Sequence, residues 1–430
     1  MVLNYIWIGF FIVAFLVALL RVIGYYLHHH WGWLQTMTFD IADRDVFTEL
    51  GLATFKMAEA SIEIIIGLIG VMTLWMGIMK IGEKGGAVRL LSRVTSPLFT
   101  RLFPEIPKDH PAMGAMLMNI CANMLGLDNA ATPLGLKAMK DLQTLNPKKD
   151  TASNAQILFL VLNTSGLTLI PITIMAYRMS KGSANPAEIF LPLLMATYFA
   201  SLGGLIIVSI VQRIKLFQPA ILAYVGGITV FIGGLMYLVK TTPQETVSVA
   251  TTFIGYFLLL LIIIGFLWLG FRKKINVYES FIDGAKEGFG TTIKIIPYLV
   301  AMLVAIGVFR ASGALDMITD GIRFIFSALG VNTDFVDALP TALMRPLSGS
   351  GSRALMLELF TNSEFGPDSF AGRLASIFQG TTETTFYTVA VYYGVVNIKK
   401  TRYTIGCGLF ADLIGIIAAI FIAYAFFGEA

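Results

Sequence analysis

The chain has 430 residues, 56% of them hydrophobic and 13% charged, with a formal net charge of +4. A soluble domain averages about 25% charged residues, so this composition excludes an ordinary water-soluble protein and points to a polytopic membrane protein. Basic stripes with interleaved aromatics are absent, which excludes the nucleic-acid-binding class, and Cys121 and Cys407 have no CxxC or Cys/His spacing, which reads as free thiols.

In chain order, nine apolar runs read as spanning helices: 2–20, 62–79, 155–177, 187–211, 218–239, 250–270, 292–309, 371–393 and 404–427. Their lengths suit a hydrocarbon core about 30 Å thick. The first run lacks a basic lead and a clear cleavage site, so it reads as a permanent helix. Residues 21–61 are too polar to span; His28, His29 and His30 beside Trp31 and Trp33 read as an interfacial belt rather than a metal site. Segments 47–61 and 278–290 have the pattern of amphipathic helices lying on the membrane.

The chain repeats itself. Residues 47–211 and 278–424 share the order apolar helix, loop, polar segment, loop, Thr-containing helix and last helix. Their loops differ in sign. Lys80, Lys84, Arg89, Arg93, Arg101 and Lys108 dominate the first loop of the first copy, while Asp316, Asp320, Asp334 and Asp337 dominate its counterpart. Lys137, Lys140, Lys148 and Lys149 stand against Glu358, Glu364 and Asp368 in the second loop. Basic loops stay cytoplasmic, so the copies are expected to be inverted. The predicted division is 1–211 for the first repeat, 212–249 for a linker with an extra helix, and 250–430 for the second, inverted repeat. Arg213, Lys215, Arg272 to Lys274, Lys399, Lys400 and Arg402 fall inside, which puts the N-terminus in the cytoplasm and the C-terminus on the periplasmic side of a bacterial inner membrane. Arg21, Arg178, Lys181 and Lys240 are the exceptions, placed outside.

Three kinds of polar segment interrupt the apolar pattern. Asn119, Asn123, Asp128, Asn129 and Thr132 lie in 119–133, which reads as a re-entrant hairpin with Pro133 opening its second half-helix. A solvated cytoplasmic loop is the alternative. Arg345, Ser348, Ser350, Ser352 and Arg353 lie in 344–354, where a half-helix from about Ser352 would aim its positive end at an anion. Glu383 is the expected partner of these arginines, with pairing to acids such as Glu358 as the structural alternative. Helix breaks are expected at Asn163, Thr164 and Ser165, ahead of Pro171, and at Gln379, Thr381, Thr382, Glu383 and Thr384. Such hydroxyls either satisfy a kinked backbone, glue helices together or bind a cation or polar solute. Asp412, Glu63 and Lys294 read as structural, the last two near helix ends.

The stretch Phe103-Pro-Glu-Ile-Pro-Lys-Asp-His-Pro-Ala-Met113, with Asn129-Ala-Ala-Thr-Pro-Leu-Gly-Leu-Lys137 and Asn163-Thr-Ser165, resembles the spore maturation A family. Arg345-Pro-Leu-Ser-Gly-Ser-Gly351, Gly366-Pro-Asp-Ser-Phe370 and Gly380-Thr-Thr-Glu-Thr-Thr-Phe-Tyr387 resemble the spore maturation B family. Together they cover nearly the whole chain and resemble the fused A/B form of the nucleoside-recognition, or gate-domain, superfamily. That resemblance implies an inner-membrane protein of gate-type fold and favours transport without naming a substrate.

The expected architecture is an all-α polytopic membrane protein of two inverted-topology repeats with re-entrant hairpins and broken helices. The expected function is a secondary transporter of a small polar, anionic or phosphorylated solute, with the site at the repeat interface. A sodium ion or proton acting through Glu383 or Asp128 would supply coupling; no cofactor or metal is expected. The alternatives are a flippase for a lipid or cell-wall-precursor headgroup and a non-transporting assembly or regulatory protein. An enzyme is disfavoured, because no nucleophile–base pair or metal-ligand set is visible. The expected partners are membrane lipids, the solute and a homo-oligomer.

Overall fold

The computed structural model describes residues 2–30, 41–107, 109–362 and 365–428, without the side chains of residues 2–3, 28–30, 128–130 and 244. The side chains of the histidine triplet, and Trp31 and Trp33, thus lie outside the described residues. Within them the protein is all helical, apart from one isolated bridge between Thr151 and Lys400.

Among the described residues, seven helices are long and apolar enough to cross a membrane, which makes this a multi-pass membrane protein. They are α1 (Val2–His30), α2 (Ile41–Gly85), α8 (Phe190–Gln212), α10 (Gly227–Thr241, entered through the short α9, Pro219–Ile221, and one π turn), α11 (Gln244–Arg272), α12 (Val277–Ala311) and α18 (Thr404–Phe427). The two remaining apolar runs are each divided. Residues 155–177 become α6 (Asn154–Thr164) and α7 (Ile172–Ser180), and 371–393 become α16 (Phe370–Thr381) and α17 (Thr385–Gly394). Between the spans lie α3 (Ala87–Leu102), α4 (Pro111–Met124), α5 (Asp128–Leu145), α13 (Ala314–Ala328), α14 (Leu339–Met344) and α15 (Gly349–Thr361).

The amphipathic segments 47–61 and 278–290 are not separate surface helices. They run unbroken into the spans as parts of α2 and α12. At about 1.5 Å per residue, 45 residues reach well beyond a hydrocarbon core of about 30 Å. The polar residues of these extensions line an open cleft and pair between helices. Glu49, Lys56, Glu59 and Glu63 of α2 line an open cavity of about 810 Å³ with Lys181, Arg310 and Glu358. Asp283 and Glu287 of α12 pair with Lys84 (2.8 Å) and Lys80 (3.0 Å) at the far end of α2. Glu63 and Lys294 consequently sit well inside their helices rather than near the ends.

The same order of elements occurs twice: a long helix, an amphipathic helix, a helical hairpin, a divided helix and a last long helix. Each amphipathic helix starts after a glycine in the left-handed region, Gly86 (φ 91°) before α3 and Gly313 (φ 83°) before α13. Corresponding helices pack antiparallel. Gly77 of α2 meets Phe281 of α12 while Gly307 of α12 meets Met57 of α2. Gly203 of α8 meets Ile414 of α18, and Gly415 of α18 meets Ala200 of α8. Lipid tails are as apolar as leucine, so close approach at small residues, rather than burial from water, holds such pairs.

Besides the α2–α12 ion pairs, polar contacts tie the halves together at two opposite ends. At one, Arg178 is fully buried and its guanidinium reaches Glu188 (2.5 Å), Asp368 (2.8 Å) and the Pro367 carbonyl (2.6 Å). Arg373 shares Glu188 at 2.8 Å. At the other, the Lys399 and Lys400 amides donate to the Asp150 carbonyl, and Arg402 donates to the Ala152 carbonyl at 3.0 Å.

Candidate functional site

The first hairpin is α4 and α5. His110 caps α4, its ring accepting the Ala112 amide (3.3 Å), with Pro111 at the first helical position. The turn is Leu125 to Leu127, with Gly126 at φ 70°. Pro133 lies inside α5 rather than at its start, because the helix already begins at Asp128, where the Ala131 amide donates to the Leu127 carbonyl (2.9 Å). The second hairpin is α14 and α15, joined by residues 345–348. The α15 helix begins three residues ahead of the expected Ser352. The Ser348 hydroxyl caps it by accepting the Gly351 amide at 3.0 Å, and Ser352 instead donates to the Thr341 carbonyl (2.7 Å), lacing the hairpin arms.

Each break has a local cause. A capping box between Ser153 and Gln156 starts α6. Gly166 and Pro171 then keep it from running into α7, since proline has no N–H and disfavours helix before it. The second break follows Gly380 and falls in a run of β-branched threonines, with Thr382 fully extended at φ −135° and ψ 170°.

Three backbone bonds bring the turns and breaks together. The Leu169 amide, in the first break, donates to the Met124 carbonyl of the first hairpin (2.7 Å). The Phe386 amide, just after the second break, donates to the Pro346 carbonyl of the second hairpin (3.1 Å). The Glu383 amide donates to the Thr164 carbonyl (2.7 Å), joining break to break.

Where they meet is a cavity of about 130 Å³, lined by Asn123, Gly126, Thr168, Pro171, Arg345, Arg353, Gln379, Glu383 and the first turn of α7, Ile172 to Ile174. Arg345 donates from Nε to the Thr382 carbonyl (2.5 Å) and lies 3.3 Å from Glu383, its expected partner. The Glu383 side chain is 57% exposed, so it faces open space rather than apolar packing. Arg353 lies over the Tyr177 ring at 5.3 Å, and its Nε has no hydrogen-bond partner among the described residues. Its alternative partner Glu358 pairs with Arg310 instead, at 3.0 Å. Gln379 donates to the Gly349 carbonyl, and its Oε1 has no hydrogen-bond partner among the described residues.

The other sequence candidates do not line this cavity. Asn163 accepts from Asn123 (2.8 Å) and so orients it. Thr164 and Ser165 bond back to the Val161 carbonyl, and Thr381 to that of Ile377, closing helix ends. Ser348 and Ser350 contact each other at 3.2 Å. Thr382 and Thr384 are buried on either side of Glu383. Asn119 is buried away from the cavity, donating to Ala131 and the Tyr392 hydroxyl. Thr132 is exposed on α5, and the side chains of Asp128 and Asn129 lie outside the described residues. Two features escaped the sequence reading. Arg178 counted there only as an exception in the charge pattern, and Asp412, read as structural, is buried beside the second break, accepting from Thr385 at 2.7 Å.

The nucleoside-recognition (Gate) family matches residues 65–181 and 292–399. The chain belongs to this family. Of the residues lining the cavity where the turns and breaks meet, all but Leu193 fall within those two segments. Spore maturation protein B of Bacillus subtilis (strain 168) is 50% identical over 170 residues, 40% of this chain and 93% of that protein. Spore maturation protein A of the same organism is 47% identical over 155 residues, 36% of this chain and 79% of that protein. This gate-family chain thus carries, in one polypeptide, stretches similar to two separate proteins. No solved structure matches it.

Proposed function

We propose that this gate-family protein is a secondary transporter of a small polar solute, anionic or phosphorylated, working by alternating access with a proton or sodium ion as coupling species. The observation that carries the reading is the cavity where both hairpin turns and both helix breaks meet. It holds two guanidinium groups against one carboxylate. The first turn of α7, whose amides have no partner within the helix, also faces it. Broken helices around a midplane site are how many transporters bind charged solutes. Sites that enclose drug-sized ligands run to roughly 300–1,000 Å³; about 130 Å³ favours a small anion or a single phosphorylated group.

The same proposal includes two inverted repeats, residues 1–211 and 250–430, joined by a linker at 212–249. The antiparallel packing of α2 on α12 and of α8 on α18 supports it. It places the N-terminus in the cytoplasm and the C-terminus in the periplasm. The ion pairs of Arg21 with Asp43 and of Arg178 with Glu188 support that placement, because they neutralise two of the basic residues it leaves outside.

The test is thermal stability of purified protein against nucleosides, phosphorylated metabolites, lipid headgroups, divalent metals and sodium. A ligand that binds the native state raises the melting temperature by mass action. A phosphorylated compound is expected to stabilise the wild type and not Arg353→Ala, with Glu383→Gln folded but altered in response. A shift with headgroups alone would favour a flippase. Absence of any anion effect in the folded protein would refute the reading.

A further inference from the structure

Asp412 is the ninth residue of the 24-residue helix α18, far from either end, and is 3% exposed. Its Oδ2 accepts from the Thr385 hydroxyl at 2.7 Å, Thr382 is its second hydroxyl neighbour, and Oδ1 has no hydrogen-bond partner among the described residues. A buried carboxylate with an unsatisfied oxygen is strongly unfavourable unless something balances it. Ionisable groups inside a membrane are functional candidates by default.

The packing offers Asp412 little counter-charge. Among the helices packed on α18, α6, α8 and α17 contain no Asp, Glu, Lys, Arg or His. Helix α16 has only Arg373, in its first turn, which pairs with Glu188. Helix α10 has only Lys240, in its last turn, and α11 only Glu245 and Arg272, at its ends. Across the break, Arg345 is already bonded to the Thr382 carbonyl and paired with Glu383. The second break is therefore a partition. Glu383 faces the solute cavity, while Thr382 and Thr385 face Asp412. Gly408 and Gly415, about one turn to either side of Asp412, let this wall lie directly on α18; a Cβ at Gly408 would strike Thr385, and one at Gly415 would strike Thr381 and Ala200.

We propose that Asp412, with the hydroxyls of Thr382 and Thr385, is a monovalent-cation site, for a proton or Na⁺, set behind the second break from the solute cavity. Either cation balances the buried charge and gives Oδ1 a partner. Carboxylate and hydroxyl oxygens are the hard donors that an alkali cation prefers. Occupancy then sets how closely the break lies on α18, and through Arg345 it reaches the cavity. This deepens the transport reading by placing its coupling ion on Asp412 rather than on the solvent-facing Glu383.

The test is infrared difference spectroscopy of the full-length protein in lipid nanodiscs, between low and high pH and between choline chloride and sodium chloride. The wild type should show the carbonyl stretch of a protonated carboxyl, shifted in D₂O, that bleaches as pH rises and is absent in Asp412→Asn. Bleaching by sodium at fixed pH assigns Na⁺ to the same oxygens; bleaching by pH alone assigns the proton. Thr385→Val keeps the acid, removes its donor and should shift the titration midpoint, so the proposal remains testable if Asp412→Asn fails to fold. A band that neither titrates nor exchanges with D₂O overturns it. So does the absence of an Asp412-dependent band combined with no sodium effect on stability. Because this readout needs no solute, its failure with anion binding intact leaves transport standing, and the converse result leaves the cation site standing.

Discussion

Replacing Arg178 with methionine removes a guanidinium from a fully enclosed position while keeping most of the side-chain volume. Deleting one partner of a buried ion pair costs about 3–5 kcal/mol, because the remaining charge is stranded. Here the stranding is incomplete. Glu188, 3% exposed, keeps Arg373 at 2.8 Å, and Asp368, with its side chain 33% exposed, can rehydrate. The expected loss is therefore at the lower end, about 3 kcal/mol, or roughly two decades in the folding equilibrium. Lys84→Met is the control. The Lys84–Asp283 pair has side chains 39% and 52% exposed, and exposed pairs contribute about 0–1 kcal/mol. The assay is reversible unfolding in mixed micelles titrated with sodium dodecyl sulfate, both variants beside the wild type. If Arg178→Met falls within about 1 kcal/mol of the wild type, or costs no more than Lys84→Met, the cluster does not hold the halves together as argued.

Gly284→Val should destabilise by about 1–3 kcal/mol through overpacking, since a Cβ there would meet the Met76 carbonyl and Lys80 of α2. Gly290, with open space around it, is the control in the same unfolding assay, and equal losses would sink the explanation. At the Asp150–Arg402 tie, Asp150 is held below the ordinary carboxylate range by the Thr151 hydroxyl first and Lys400 after it. A group with a depressed folded-state value stabilises above its unfolded value and loses that effect as pH falls through the folded one. Asp150→Asn should thus be less thermostable than the wild type at neutral pH and converge with it in acid; a constant gap across the titration would contradict this.

The turns and breaks were legible because polar residues inside apolar runs have few tolerable fates, and Asn123, Arg345, Arg353, Gln379 and Glu383 do converge on one cavity. What sequence hid was direction. The polarity of 47–61 looked like a membrane-surface face, yet those residues line a protein cavity on a continuous helix. A one-dimensional pattern records that a residue is polar, not whether it faces the membrane surface or an open cleft of the protein. Asp412 was hidden for a different reason. A single acid in an apolar helix carries no pattern, and only the flanking Gly408 and Gly415, about a turn away on each side, hinted that another chain segment presses against it there. Arg178 illustrates the limit of charge counting, because a basic residue neutralised within the fold no longer reports which side of the membrane it occupies.

The unlike construction of the two ties makes the molecule mechanically lopsided. At the Arg178 end the centre of the knot is dry, and parting it means exposing Arg178 and Glu188 together. The Asp150–Arg402 end is stitched by backbone bonds from the exposed Lys399 and Lys400 to the exposed Asp150, and by a Lys400–Asp150 pair 3.7 Å apart with both side chains more than half exposed. Water can replace those stitches one at a time. Thermal motion that separates the halves is therefore concentrated at the Asp150–Arg402 end, with the Arg178 knot as the fulcrum, and amide exchange at Lys399 and Lys400 should run ahead of exchange around Glu188.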